Sequence, residues 1–333
     1  MVPAAEPDSH TNHVNAENPA GPRIGDAWEI KPDASVRENL VSLQRVFAQA
    51  GIDQAAADAS ALLEHVSGLS RAEVQHYMVM GHAMTDVLTW EQHDELKTLV
   101  HRRLTREPLQ HIVGHAAFRY LTLEVGQGVF VPRPETEIVA QQAIDEAQHL
   151  ISTGIQAPLI IDLCTGSGAI ALALATEIPT ATVYAVELDE DAHRWAQRNN
   201  RRHGDPVHLY RGDARTALAH LAGRADIVVS NPPYIPPDAV PRDPEVARWD
   251  PQVALYGLGV DGLEVPRGIT AHAAKLLRPS GLYIMEHAES QAHTARAMVD
   301  STRLFQPAHT QPDFTGRPRM VVARRHPPEH VEG

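Results

Sequence analysis

From Leu159 onward the chain alternates short, apolar, β-branched runs with stretches of helical period, and this alternation constrains the fold more than any other feature of the sequence. The runs are Leu159–Leu163, Ala181–Val186, Val207–Tyr210, Ala225–Ser230 and Gly281–Glu286, with Met320–Ala323 as a last candidate. Strand, helix and strand in succession make a parallel crossover unit. Repeating that unit builds an open, doubly wound α/β sheet of the Rossmann-like kind. A helix is expected just before the first run, from about Glu137 to Ile151.

Upstream the texture is different. Between Ser35 and about Pro108 apolar residues recur at a helical period, as in Val36, Leu40, Leu43, Val46 and Phe47. Ser35 with Glu38, Ser70 with Glu73 and Thr89 with Gln92 have capping-box spacing, in which two side chains satisfy backbone N–H groups at a helix start. Gly51, Gly68 and Gly81 fall where left-handed helix stops belong. The spacing predicts a small all-helical N-terminal domain over 34–110. A hairpin or extended linker follows over 111–131, where Phe118, Tyr120, Leu121, Leu123 and Val125 partly alternate. The α/β domain then occupies 132–328. Residues 1–33, rich in Pro, Asn, Asp and Glu, read as a disordered polar tail without the basic start and apolar run of a secretory leader, and 329–333 read as a second tail.

Two places in the α/β domain carry chemistry. The first is Asp162-Leu163-Cys164-Thr165-Gly166-Ser167-Gly168, which runs from the first strand into the helical stretch Ala169-Ile170-Ala171-Leu172. Gly166 and Gly168 let the backbone approach a ligand without a Cβ clash, and the helix N-terminus offers free N–H groups, so a nucleotide-like ligand is expected here. Glu187, at the end of the second strand and roughly twenty residues on, can accept hydrogen bonds from both hydroxyls of a ribose. The neighbourhood of Asp213, in Gly212-Asp213-Ala214 after the third strand, is placed to face an adenine ring. These residues suit either a dinucleotide or S-adenosylmethionine. The third glycine of the dinucleotide fingerprint is missing, which moves the balance away from the first without settling it.

The second place is Asn231-Pro232-Pro233-Tyr234, at the end of the fourth strand. Open parallel sheets bind ligands outside the carboxyl ends of their strands, so this tetrapeptide and the glycine loop belong to one crevice. Two prolines fix two φ angles and remove two backbone donors, leaving a stiff turn that presents acceptors. The Asn231 amide oxygen and the Pro232 carbonyl can accept both hydrogens of a planar –NH₂ group and hold its nitrogen towards a methyl donor, while Tyr234 packs on the planar face. Such a site suits displacement at a sulfonium methyl by a conjugated amino nitrogen, a reaction governed by alignment and electrostatics. Adenine, cytosine and carboxamide nitrogens all qualify.

Composition narrows the choice. Twenty-nine Lys and Arg against 42 Asp and Glu leave a formal charge of −13, the wrong sign for a protein that coats a phosphate backbone, so no stable nucleic-acid binding is expected. The single cysteine, Cys164, excludes intramolecular disulfides and cysteine-only metal clusters and fits a reducing compartment. His111 and His115 stand at i, i+4, but no HExxH pattern accompanies them and the segment reads as extended, so no metal is expected. No apolar stretch approaches the ~18 residues that cross a bilayer, and the cytoplasm is the expected location. The long, proline-rich stretch from Ile235 to Val260 reads as a lid or substrate-docking loop.

With these motifs in view, the chain resembles the bacterial release factor glutamine methyltransferases. The likeness rests on Asn231-Pro232-Pro233-Tyr234-Ile235-Pro236 and on the glycine loop with its helix. It extends to Pro108-Leu109-Gln110-His111-Ile112-Val113-Gly114, Val131-Pro132-Arg133-Pro134-Glu135-Thr136-Glu137, Asp261-Gly262-Leu263 and Gly316-Arg317-Pro318-Arg319, and so covers about residues 35 to 325. The resemblance implies a class I methyltransferase domain that transfers a methyl group from S-adenosylmethionine to the glutamine side-chain amide in the Gly-Gly-Gln loop of class I peptide chain release factors, with the helical domain gripping the protein substrate. Carried over by position, Cys164, Thr165, Gly166, Ser167 and Gly168 form the cofactor loop, Glu187 binds ribose, and Asp213 with Ala214 borders adenine. Asn231, Pro232, Pro233 and Tyr234 hold the glutamine, with Asn231, Pro232 and Tyr234 as the catalytic set and Asn231 also beside the cofactor. A monomer is expected.

The chain departs from the family pattern at four points: Cys164 replaces a glycine, Glu187 an aspartate, Ala214 an aromatic that some members carry, and Glu286-His287-Ala288 the usual Glu-Ile-Gly. Two other readings stay open. An amino-methyltransferase of adenine or cytosine in DNA or RNA shares the tetrapeptide, but needs a basic groove and a means of extracting the base. A non-catalytic module would bind S-adenosylmethionine or dock on the translation machinery.

Overall fold

A computed structural model describes residues 28–327. Of the expected tails, 1–27 and 329–333 lie outside the described residues. The chain divides into two units, one ending at Thr105 and one beginning at Arg106.

Among the described residues the first unit holds four α-helices, α1 (Val36–Gln49), α2 (Ala55–Ser67), α3 (Arg71–Met80) and α4 (Trp90–Leu104). The capping spacings act as expected: Ser35, Ser70 and Thr89 each accept the backbone N–H three residues on, and Glu38, Glu73 and Gln92 return the bond. Gly68 and Gly81 close α2 and α3 in the left-handed conformation that a Cβ disfavours. Leu40, Leu43, Phe47, Leu62, Leu63 and Leu96 are buried, and one ion pair, Arg103 Nε to Asp58 at 2.7 Å, is buried with them.

The second unit starts with α5 (Leu109–Val113) and an antiparallel hairpin of β1 (His115–Phe118) and β2 (Leu121–Glu124), paired Phe118 to Leu121 and His115 to Glu124. His111 therefore sits on a helix, not in an extended segment, and His115 opens a strand. Then come α6 (Glu137–Ser152), β3 (Leu159–Leu163), α7 (Ala169–Glu177), β4 (Thr182–Glu187), α8 (Glu190–Arg202), β5 (Val207–Arg211) and β6 (Ala225–Ser230). The chain continues through α9 (Pro244–Trp249), α10 (Gln252–Leu255), α11 (Glu264–Leu276), β7 (Leu277–Glu286), α12 (Ala292–Ser301), β8 (His309–Pro312) and β9 (Pro318–Arg324).

The sheet order is β5-β4-β3-β6-β7-β9-β8. Strands β3 to β7 are parallel, while β9 runs antiparallel to β7 and β8 antiparallel to β9. Successive residues of β3 face opposite layers: Ile160 packs with residues of α6 and α7, and Ile161 with residues of α11 and α12. With both faces covered, every residue of β6 is buried, which is why Ile227, Val228 and Val229 follow one another without polar alternation. Strand β7 begins at Leu277, ahead of the expected Gly281, and β8 carries the polar sequence His-Thr-Gln-Pro, which gave no strand signal.

Candidate active site

Register across the sheet decides what meets at its carboxyl edge. Leu163 pairs with Val186 on one side and Ser230 on the other, and Ser230 pairs with Met285. The next residue of each strand or turn is Cys164, Glu187, Asn231 and Glu286, so these four stand in a row. They line one cavity of about 840 Å³ at the point where the strand order reverses between β3 and β6. Of the residues expected at the site, Thr165, Gly166, Ser167, Asp213, Ala214, Pro232, Pro233 and Tyr234 line the same cavity. Gly168 does not; it caps α7 with φ +88° and turns the loop into the helix. Cys164 has φ +65°, the left-handed region that glycine adopts most easily, which accounts for the family's glycine there. Burial pushes the Cys164 thiol well above the usual thiol range.

At one end Glu187 is 8% exposed and its two oxygens hold separate backbone groups. Oε2 accepts from Gly166 N–H at 2.8 Å and Oε1 from Asp189 N–H at 2.9 Å. Burial raises its pKa, while these bonds to Asp189 and Gly166 hold it down. Behind the loop, Thr165 Oγ1 donates to the fully buried Asp162, whose carboxyl burial pushes up to about 7. The Asp213 carboxylate is taken up locally by the Arg215 side chain at 2.7 Å and the Arg215 N–H at 2.8 Å, which lowers its pKa.

At the other end the tetrapeptide is braced from behind by main chain. Tyr234 N–H and Ile235 N–H both donate to the Leu255 carbonyl, at 3.1 and 2.8 Å, and Gly257 N–H donates to the Ile235 carbonyl at 3.1 Å. A Cβ on Gly257 would collide with the carbonyl oxygens of Gly262 and Pro233, and one on Gly262 with that of Tyr234. The Asp261-Gly262-Leu263 element is thus a backbone wedge under the tetrapeptide. Gln291 Nε2 ties the Tyr234 and Asp261 carbonyls together at 2.8 and 3.1 Å. The stretch read as a lid contains α9 and α10 and forms this brace, with Pro251 to Tyr256 in the cavity wall.

Three contributors went unassigned in the sequence. Asn231 Nδ2 donates to Thr136 Oγ1 at 3.3 Å, and Tyr234 O–H donates to Glu286 Oε1 at 3.3 Å. Burial pushes the Glu286 carboxyl up to about 7, against the Thr136 hydroxyl and the Arg319 guanidinium. Arg133 pairs with Asp250 at 2.7 Å, its ring-facing guanidinium 5.0 Å from Phe130. Glu286 was recoverable from topology, since it ends a strand next to β6; Thr136 stood in a quoted motif with no chemical reason attached.

The residues present fit S-adenosylmethionine. Each Glu187 oxygen keeps a lone pair after its backbone bond, enough for the two hydroxyls of a ribose. A Cβ on Gly166 would meet nothing within 4 Å, so the loop borders open space of ligand size. The acceptor end offers oxygen atoms and, through its prolines, few N–H donors. Among the described residues, no group of His, Cys, Asp and Glu is arranged to hold a metal ion, and no helix is long and apolar enough to cross a membrane.

Residues 38–114 match the family described as PrmC N-terminal domain, and residues 134–242 that described as methyltransferase small domain. The chain is similar to the release factor glutamine methyltransferase of Streptomyces coelicolor, 45% identical over 280 residues that cover 84% of this chain and 94% of the relative. The enzyme of the same description from Mycobacterium tuberculosis (strain H37Rv) is 38% identical over 297 residues, covering 87% and 92%. A 4-amino-L-phenylalanine/4-methylamino-L-phenylalanine methyltransferase of Streptomyces pristinaespiralis is 42% identical over 213 residues, covering 64% and 72%.

Proposed function

The chain belongs to the family of release factor glutamine methyltransferases, and from that premise we propose that it methylates the side-chain amide nitrogen of the glutamine in the Gly-Gly-Gln loop of class I peptide chain release factors. The observation that carries the reading is the pairing, in one cavity, of a glycine loop beside a buried carboxylate with a proline-stiffened turn of acceptors. When bound, S-adenosylmethionine supplies an electrophilic methyl group on a sulfonium sulfur. Glu187 and the loop residues Cys164 to Ser167 would hold it, with Gly168 turning the loop into α7 and with Asp213 and Ala214 on the adenine side. Asn231 Oδ1 and the Pro232 carbonyl accept the two amide hydrogens of the glutamine. That draws the nitrogen lone pair out of conjugation and stabilises the positive charge that grows on nitrogen as it takes the methyl carbon from sulfur; the nitrogen then gives up one of its two hydrogens to solvent as a proton, leaving the neutral N-methyl amide. Tyr234 packs on the flat amide and keeps water from that face.

The helical unit grips the release factor; its exposed Val79, Met80 and Trp90 support a docking role. The protein works as a monomer in the cytoplasm and binds no nucleic acid stably, in keeping with its charge of −13. Incubation with methyl-labelled S-adenosylmethionine and a release factor, the same factor with alanine for the loop glutamine, or DNA tests the reading. Label is expected on the intact factor alone; label on DNA, or on the alanine form to the same extent, overturns it.

A further inference from the structure

Resting on that reading of the acceptor site, we propose that Thr136 and Glu286 are positioning residues, which through one chain of hydrogen bonds fix the end of the Asn231 amide that faces the cavity and the stance of the Tyr234 ring. An asparagine amide has nearly the same shape after half a turn, but its chemistry is reversed. Turned the wrong way, Asn231 would meet an incoming –NH₂ group with its own –NH₂, donor against donor, and the acceptor would be repelled rather than held.

Thr136 breaks the symmetry. Its Oγ1 takes a hydrogen from Asn231 Nδ2 at 3.3 Å, so Oδ1 is the end left for the substrate. Having accepted there, the hydroxyl has its own hydrogen to place in a setting that is 4% exposed. Beside it lies the Glu286 carboxyl, 3% exposed, whose Oε1 is engaged by the Tyr234 hydroxyl at 3.3 Å and whose buried Oε2 has no hydrogen-bond partner. Turned towards that oxygen, the Thr136 hydroxyl hydrogen completes the chain, and Thr136 is the foremost of the groups that favour the ionised carboxyl. Glu286 therefore anchors both halves of the clamp: Tyr234 directly and Asn231 through Thr136. Arg319, held by Asp313 at 3.0 Å, is the cation that faces it. The register places the anchor, because Glu286 follows Met285, the partner of Ser230, which precedes Asn231.

The test compares Thr136→Val, Thr136→Ser and Thr136→Val combined with Asn231→Ala, measuring kcat, KM for the release factor and the Kd for S-adenosylmethionine. Thr136→Val is expected to lower kcat about 10-fold or more with the donor Kd within about 2-fold, and Thr136→Ser to restore most of it. In the Asn231→Ala background Thr136→Val is expected to do nothing further, because the group it orients is gone. A substrate-free readout runs alongside: in ¹⁵N-labelled protein one Asn231 side-chain amide hydrogen exchanges slowly, and Thr136→Val releases it. Should Thr136→Val not fold, Glu286→Gln, which can set a donor against the Thr136 hydroxyl, makes the same demand. Normal kcat in Thr136→Val, additive losses in the double variant, or unchanged amide exchange overturns the proposal. Wild-type protein that methylates no release factor overturns the proposed function instead, while the amide exchange still decides the positioning role.

Discussion

Glu187 accepts the Gly166 N–H at 2.8 Å, so the carboxylate that ends β4 and the glycine loop that follows β3 are one unit. Glu187→Ala releases the loop and removes the ribose acceptor together. Hydrogen bonds to charged groups contribute about 1.5–3 kcal/mol each, so the Kd for S-adenosylmethionine is expected to rise 10-fold or more by titration calorimetry, with kcat at saturating donor little changed. An unaltered Kd removes Glu187 from the donor site.

Asn231→Ala takes away an acceptor used most strongly when charge has built up on the substrate nitrogen. The rate is expected to fall on the order of 10²-fold, with the donor Kd preserved. A single-turnover assay with release factor, beside a donor titration, separates the two; near-normal turnover would sink the role.

Gly262 has φ +73°, and a Cβ there would strike the Tyr234 carbonyl. Gly262→Ala is therefore expected to lower stability by about 1–3 kcal/mol and to abolish most activity by pushing the tetrapeptide out of place. Thermal unfolding and the methylation assay check the two parts, and a fully active, equally stable variant contradicts the wedge.

Burial lifts the Glu286 carboxyl from its usual 4.5 to about 7. The folded protein therefore holds that proton more tightly than the unfolded chain does. The resulting stability is fully present below pH 4.5 and is lost as pH rises through about 7. Glu286→Gln lacks this dependence, so its Tm relative to wild type is expected to climb between those pH values and then level off. A constant difference from pH 4 to pH 8 contradicts the burial argument.

Cys164 is the chain's only cysteine, so alkylation is read as a single mass shift. With its thiol pushed upward by burial in the cavity wall, it is expected to react at least about 10-fold more slowly than a free thiol at pH 8, and more slowly still when S-adenosylmethionine is present. Labelling at the rate of a free thiol contradicts that placement.

What could be read from the sequence was the part governed by repetition. The buried strands β3, β4 and β6 announce themselves by apolar β-branched runs, and the capping boxes at Ser35, Ser70 and Thr89 by fixed spacing. The hidden parts are short or polar. Helices α9 and α10 span six and four residues, too few for a period to show, and β8 at the sheet edge has only half-buried or exposed positions.

The site divides in the same way. Cys164 to Gly168, Glu187 and Asn231 to Tyr234 carry distinctive residue types at distinctive places, whereas Thr136 matters through a contact 95 positions away, to Asn231, that only folding creates. Asp213 lines the cavity as expected, but its carboxylate bonds Arg215, a neighbour that no motif flagged.

The brace beneath the tetrapeptide, from Leu255 to Gly262, works through carbonyls and N–H groups and through two positions that tolerate no side chain. It therefore reads few side chains between Pro237 and Val253, the Asp250 carboxylate that pairs with Arg133 being one. Substitutions at the other cavity-lining positions of that stretch, such as Val246 or Val253, can alter which molecule is admitted to the mouth of the cavity while the spot at which a nitrogen is held stays fixed. Choice of customer and conduct of the reaction thus rest on different parts of this fold.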